Sequence, residues 1–303
     1  MSQPILSGVL PVLQTPFSAD GAIEAAALVR EVDWVLEQGV AGVTTGMVSE
    51  LLRLTADERR RLSELVVAAV DGRGLTVISC GAESTRTSVQ LAQHAAETGA
   101  TAVMVNPPLT SAATDQELAD HFSAIVESVE IPVVVQDASG YVGRPLSLEL
   151  QLNLLDQHPD QLYFKPEASP IGQRLSQLRD LTGGRARILE GTGGAALLDS
   201  FRRGIVGTMP GAEVCWGVQR LWECLQAGDW EHAYRLSGIL NMMIGMQESL
   251  DAFVAVEKHL LVRQGVFGTT AVRGPASFVL DAETAAEIDR LADQLRLAVG
   301  TRG

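Results

Sequence analysis

The stretch Leu162-Tyr163-Phe164-Lys165-Pro166-Glu167 reads as a short apolar strand that ends in a lysine, a proline and a glutamate. A helix-like segment, Ser147–Gln157, precedes it, and another, Gly172–Asp180, follows. The same unit recurs along the chain. Strand patterns at Gly8–Gln14, Gly42–Gly46, Leu75–Cys80, Ala102–Asn106, Pro132–Gln136, Leu162–Glu167, Arg187–Glu190 and Ile205–Met209 each lead into an amphipathic segment. The second of those segments, Ala56–Val70, opens with Thr55 and Glu58 at capping-box spacing. Alternating strands and helices imply a parallel sheet covered by helices. Eight such units predict an α/β fold of the (β/α)8 TIM-barrel type over residues 1–228. An open doubly wound sheet is the alternative, but Leu13-Gln14-Thr15-Pro16-Phe17 carries no glycine fingerprint after the first strand. Residues 229–303 show helical patterns at Trp230–Glu248, Leu250–Gln264 and Ala282–Val299 and no strand pattern, which predicts a C-terminal helical extension.

Composition narrows the function. The chain has 303 residues, 46% of them hydrophobic, enough for a large core. A net charge of −14 argues against nucleic acid or an anionic membrane as partner. No apolar run reaches the roughly 20 residues of a membrane span, and MSQPILSGVL does not read as a signal peptide, so the expected location is cytoplasmic. Cys80, Cys215 and Cys224 are too few and too scattered for a disulfide framework. The five histidines show no second ligand at metal spacing, so no metal and no other cofactor is expected.

Active sites of such barrels form at the C-terminal ends of the strands. Lys165 stands there, and it is one of only two lysines in the chain, the other being Lys258, against 21 arginines. Arginine forms no imine. Desolvation favours the neutral amine, which can attack a ketone to give a Schiff base, an electron sink for cleavage at the neighbouring carbons. A salt-bridged structural lysine is the alternative at this point. Strand alternation would place Glu167 on the face of Lys165, either as general base or as a plain ion-pair partner. The loop Gly46-Met47-Val48-Ser49-Glu50 could present backbone N–H groups to a carboxylate. Gln136 and Asp137, at the fifth strand end, could bind a substrate hydroxyl or cap the strand, while Thr192 and Thr208 stand beside the glycines after the seventh strand and in the eighth.

Several motifs together resemble the dihydrodipicolinate synthase/N-acetylneuraminate lyase family of class I aldolases. They are Gly8-Val9-Leu10-Pro11 with Thr15-Pro16-Phe17, Gly46-x-x-Ser49-Glu50 with Leu54 and Glu58-Arg59, Phe164-Lys165 with Glu167-Ala168-Ser169, and Gly204-Ile205-Val206-Gly207. The resemblance implies a barrel with a helical extension, a homo-oligomer (tetramer or dimer), a 2-keto acid substrate, and Lys165 as the imine former. The chain also departs from the synthase pattern. Met47 and Val48 replace two threonines, Gln136 replaces the tyrosine at the fifth strand end, Leu109-Thr110 replace a tyrosine pair, and Tyr141 falls where an arginine holds the second substrate. The Gln136-Asp137-Ala138 segment and the Lys165-x-Glu167 spacing resemble the 2-keto-3-deoxy-L-arabonate dehydratase type, although Pro166 stands where that type has an aliphatic residue. That resemblance implies a dehydratase in which Lys165 captures the 2-keto group and Glu167 moves the proton. Val48 and Ser49 would hold the carboxylate, with Gln136, Thr192 and Thr208 as further substrate contacts. A pyruvate-releasing aldolase and a non-catalytic keto-acid binding protein are the alternatives.

Overall fold

The computed structural model describes residues 5–139 and 145–300. Eight parallel strands alternate with helices among these residues. They are β1 Gly8–Val9, β2 Gly42–Thr44, β3 Leu75–Ser79, β4 Ala102–Val105, β5 Val133–Gln136, β6 Leu162–Lys165, β7 Leu189–Glu190 and β8 Gly207–Thr208. The intervening helices are α1 Ala25–Glu37, α2 Ala56–Val70, α3 Thr85–Thr98, α4 Asp115–Val126, α5 Leu148–Gln157, α6 Ile171–Leu181, α7 Leu197–Arg202 and α8 Cys215–Ala227. Strands β2 to β6 pair in sequence order, and β1 pairs β8, which pairs β7. Two bridges join the two arcs: Val12 pairs with Thr44, and Phe164 with Ile188. The ring is therefore closed, a (β/α)8 barrel. The capping box at α2 forms as expected, with Glu58 N–H donating to Thr55 Oγ1 at 3.2 Å and Thr55 N–H to Glu58 Oε2 at 2.8 Å.

Strand parity sorts the side chains into two layers. Val133, Val135, Leu162 and Phe164 join the core between sheet and helices. Val134, Tyr163, Met104 and Val77 join a second cluster that fills the barrel. Period-two alternation requires this split, and burial on both faces explains why these strands are almost wholly apolar. Tyr163 is completely buried, and its hydroxyl accepts the Leu6 N–H at 3.1 Å, which ties the segment before β1 to the barrel interior.

Strand β6 is shorter than its pattern suggested. It stops at Lys165, and Glu167 lies beyond the regular pairing. Pro166 offers no N–H to continue the ladder. Two short 3-10 turns, Met47–Ser49 and Leu51–Arg53, fill the loop after β2 that the sequence did not resolve. Another, Ala212–Val214, precedes α8.

Gly228, at φ +73°, ends α8, and three helices follow: α9 Trp230–Gly245, α10 Leu250–Arg263 and α11 Ala282–Gly300. Their apolar faces share the barrel's outer core through Leu236, Leu240, Leu260 and Leu295. Helix α10 is also held by charge. Lys258 Nζ bonds Glu50 Oε1, both side chains being fully buried, and donates to Ala271 O at 2.7 Å. Glu50 adopts a left-handed conformation (φ 58°) and also accepts the Arg273 N–H at 2.8 Å. Loop 47–53, α10 and the segment around 271–273 thus meet at one ion pair. No single helix among the described residues is long and apolar enough to cross a membrane.

Removing one partner of a buried ion pair strands the other charge, at about 3–5 kcal/mol. Lys258→Met should therefore lower unfolding stability by about that amount, read from urea denaturation, with α10 displaced from the barrel mouth.

Candidate active site

At the mouth of the barrel, parity and register bring three polar side chains together. Lys165 shares the inward face of β6 with Tyr163, two residues earlier, and Gln136 shares the inward face of β5 with Val134. The β5–β6 register pairs Gln136 directly with Lys165. Glu167, just past the strand, turns back so that its Oε1 accepts Lys165 Nζ at 2.8 Å. Gln136 Nε2 donates to both Glu167 oxygens, at 3.1 and 3.3 Å. Lys165 and Glu167 are each only 5% exposed. A charge-assisted pair in a nearly dry setting is strong and fixed in geometry. It also gives the ammonium a place to leave its proton when the nitrogen becomes a nucleophile.

The pair needs space, and Gly191 supplies it. A Cβ at Gly191 would stand 2.9 Å from both Glu167 Oε1 and Lys165 Cε. The place of Gly191 beside the lysine thus calls for a residue without a side chain.

A cavity of about 40 Å³ opens over Lys165. Val12, Gly46, Met47 and Val48 form one side, and Gln136, Lys165, Gly191 and Gly193 another. Met209, Gly211, Glu213 and Val214 come from the end of the barrel, while Ile244, Gln247, Phe253 and Glu257 come from the C-terminal helices. Lys165 is the only cation among these lining residues.

Of the residues singled out from sequence, Lys165, Gln136 and Val48 line the cavity, and Glu167 touches the lysine. Ser49, Thr192 and Thr208 stand one layer behind. Ser49 Oγ accepts Gly46 N–H at 3.0 Å and donates to Leu13 O, so its hydroxyl holds the 46–49 turn. Thr192 and Thr208 both donate to Glu190, Thr208 Oγ1 at 2.7 Å from Oε2. These three hydroxyls are engaged by the protein itself and brace the wall. Asp137 caps its own loop, accepting N–H bonds from Ser139 and Leu146 at 3.0 Å each. Tyr141 lies outside the described residues.

Sequence reasoning missed Glu213 and Glu257 as a pair. Glu257 accepts from Gln14 Nε2, and Glu31 accepts Gln14 N–H at 2.8 Å. Glu31, Glu213 and Glu257 are all buried, from three distant parts of the chain. Burial pushes the carboxyls of Glu31 and Glu257 well above the usual carboxylate range, and that of Glu213 up to about 7. The one signal in the sequence is the position of Glu213 shortly after the last strand pattern, Ile205–Met209; nothing similar points to Glu31 or Glu257. A second unforeseen cluster, Cys224 with Asp229 and His232, forms at the α8–α9 junction, although the histidines had shown no partner at metal spacing. Asp229 is the N-cap of α9 and accepts His232 N–H at 3.2 Å, which accounts for that grouping.

A closed parallel barrel, a buried lysine at its mouth and an apposed carboxylate define the class of Schiff-base lyases. Residues 5–294 match the model of the dihydrodipicolinate synthetase family, and the chain belongs to that family. The chain is 31% identical over 290 residues to the 4-hydroxy-tetrahydrodipicolinate synthase of Rhizobium meliloti (strain 1021), covering 94% of this chain and 97% of that protein. The structure of YagE, a prophage protein of the dihydrodipicolinic acid synthase family from E. coli K12 in complex with pyruvate, superimposes with a TM-score of 0.89 at 25% identity, over 97% of this chain and 100% of that one. The dihydrodipicolinate synthase of Aquifex aeolicus shares the fold, with a TM-score of 0.86 at 20% identity over 98% of this chain and 100% of that one. As a member, this protein is a lyase of the class I aldolase type.

Two outcomes are expected from the site's geometry. Gly191→Ala should displace the Lys165–Glu167 pair and reduce turnover roughly 10- to 100-fold, with a smaller change in the thermal midpoint. The Glu213 carboxyl, at about 7 in the folded chain against 4.5 ordinarily, keeps a proton that the unfolded chain releases. Stability therefore falls as pH rises through that window. Urea midpoints at pH 5 and pH 8 should differ less in Glu213→Gln, which cannot titrate there, than in the unaltered protein.

Proposed function

We propose that the protein dehydrates a 2-keto-3-deoxy sugar acid through an imine at Lys165. The observation that carries this reading is Glu167, bonded to Lys165 and oriented by Gln136 where the synthase pattern has a tyrosine. A primary amide neither gives up nor carries a proton at ordinary pH, so Gln136 cannot serve as a relay. The carboxylate is the group that can.

The steps follow from that arrangement. Lys165 passes a proton to Glu167, and the free amine attacks the C2 carbonyl. The carbinolamine loses water to give the protonated imine. Glu167, ionised again, removes a proton from C3, and the electron pair that forms the enamine expels the C4 hydroxyl. That hydroxyl leaves as water with the proton Glu167 has taken up. Water then attacks the imine carbon, releases the keto acid and restores the amine. The water lost on imine formation is regained on hydrolysis, so the net change is loss of one water from the sugar acid. In this reading the backbone of Met47–Ser49 faces the substrate carboxylate, with Val48 at the cavity wall. By family resemblance the working form is a homo-oligomer.

A second reading keeps the imine and breaks the C3–C4 bond instead, releasing pyruvate. The YagE structure, a family member in complex with pyruvate, favours keeping it in view. The two separate by product: pyruvate from a 2-keto-3-deoxy acid indicates the aldolase, and a semialdehyde of the 2-ketoglutarate type indicates the dehydratase.

Borohydride added with pyruvate should fix a reduced pyruvyl group on the peptide that carries Lys165, seen by mass spectrometry. A folded protein without that adduct overturns both readings. Glu167→Gln should still trap pyruvate yet lose roughly 100-fold or more in turnover. Survival of turnover would reduce Glu167 to an ion-pair partner.

A further inference from the structure

The cavity over Lys165 has a wall of hydrogen-bond acceptors with nothing to accept. Gln136 Oε1, Glu213 Oε2 and Gln247 Oε1 are each buried and lack a hydrogen-bond partner among the described residues. All three residues line that one cavity and are at least nine-tenths buried. Gln136 is fixed through its other atom, Nε2, which donates to Glu167. Gln247 is fixed likewise, with Nε2 donating to Met243 O at 3.1 Å. Both amides are thus held by their nitrogens, and their buried oxygens stay without a partner among the described residues. Glu213 Oε2 sits at the wall itself, because a Cβ added to Gly211, another lining residue, would overlap it. That same Cβ would come within 2.9 Å of Glu257 Oε1. The sequence supplies a glycine where two carboxyls crowd the cavity.

Buried polar atoms without partners are costly, and their usual resolution is a ligand that pairs with them. The ligand's chemistry can be read from what is present. Among the described lining residues there is no cation beyond Lys165, and there are two carboxyls. A second anionic group, carboxylate or phosphate, has no hydrogen to give, so it would leave the Gln136 and Gln247 amide oxygens unpaired, and it would meet no further cation among the described lining residues. A hydroxyl suits the wall. It donates to an amide oxygen or a carboxylate, and it accepts from a carboxyl that has kept its proton, so it serves Glu213 in either state.

We propose that Glu213, together with Gln136 and Gln247, reads the hydroxyl groups on the tail of the keto acid held at Lys165, and so sets specificity for polyhydroxylated substrates over keto acids with an anionic tail. This rests on the proposed imine at Lys165. It assigns to Gln247, from the segment after α9, a direct part in substrate choice. Helices outside the barrel then complete the site.

The test is borohydride trapping at Lys165, titrated with three probes: pyruvate, 2-ketoglutarate and a six-carbon 2-keto-3-deoxy acid bearing hydroxyls on its tail. The unaltered protein should reach half-saturation with the hydroxylated acid at a concentration at least tenfold below that for 2-ketoglutarate. Glu213→Met removes the acceptor and should raise the half-saturating concentration of the hydroxylated acid by about 10- to 100-fold. The shift for pyruvate, which has no tail, should be several times smaller. Glu213→Gln keeps an acceptor oxygen and should restore most of the loss, which separates recognition from general damage to the fold. Equal shifts for pyruvate and the hydroxylated acid, or no shift for either, overturn the inference while leaving the imine reading intact. Absence of trapping with every probe in the unaltered protein overturns both.

Discussion

A closed parallel barrel has no wet face along most of its strands, and that constraint governs this chain. Side chains pointing outward meet helices, and side chains pointing inward meet each other. Only at the strand ends can an inward polar group find room. On β6 the consequence is sharp. Leu162 and Phe164 go to the helices, Tyr163 fills the interior, and the next inward position is Lys165, at the last residue of the strand. Tyr163 below leaves the lysine no direction but the mouth. Parity alone fixes which residue of the stretch brings an amine to the cavity, and pairing with β5 fixes Gln136 as its neighbour.

The C-terminal helices are the second half of the site, and their attachment explains an unusual investment in buried charge. Glu50 holds a left-handed backbone and a fully buried carboxylate, both unfavourable in isolation. Lys258 and the Arg273 N–H satisfy it, and Phe17 receives the Lys258 ammonium over its ring at 4.6 Å. Apolar contacts could hold α10 against the barrel, but they would allow it to slide. The Lys258–Glu50 pair, with its directional partners, and the Arg53–Asp251 pair at the start of α10 set its rotation and register. Phe253 and Glu257, five residues and one residue before Lys258 on the same helix, are thereby delivered to the cavity.

The sequence carried the barrel because its signal is repetitive: every strand unit restates the same alternation of apolar run and amphipathic helix. Lys165 was legible by rarity, and Glu167 by spacing. The reason given for Glu167 was only half right, since it sits past the strand rather than on its face, and Pro166 is what ends the pairing. Ser49, Thr192 and Thr208 look like ligands in a linear string because hydroxyls at strand ends can serve either substrate or backbone. The fold engages them through Leu13 O and Glu190, and for Ser49 and Thr208 the partner lies 36 and 18 residues away, too far in sequence to announce itself. Glu31, Gln14 and Glu257 were illegible for the same reason at longer range. Buried carboxyls from positions 31, 213 and 257 meet only after the ring has closed and α10 has docked.

Those contrasts bear on how proton transfer is arranged around the lysine. A tyrosine relay moves a proton along hydroxyls and can reach the amine from a distance. Gln136 breaks any such chain, and in the described structure its amide instead donates to both oxygens of Glu167. The carboxylate is thus held on one side by an ammonium and on the other by a neutral donor. When the amine becomes an imine, the Lys165 nitrogen keeps at most one proton, and one of the partners that hold Glu167 is weakened. The carboxylate then has a lone pair released next to the carbons that flank the imine. In the proposed reaction the same event that creates the electron sink also frees the base, so that proton removal follows imine formation rather than competing with it. Gly191 is the geometric condition for that coupling, because a larger residue would force the carboxylate and the amine apart before the substrate arrives.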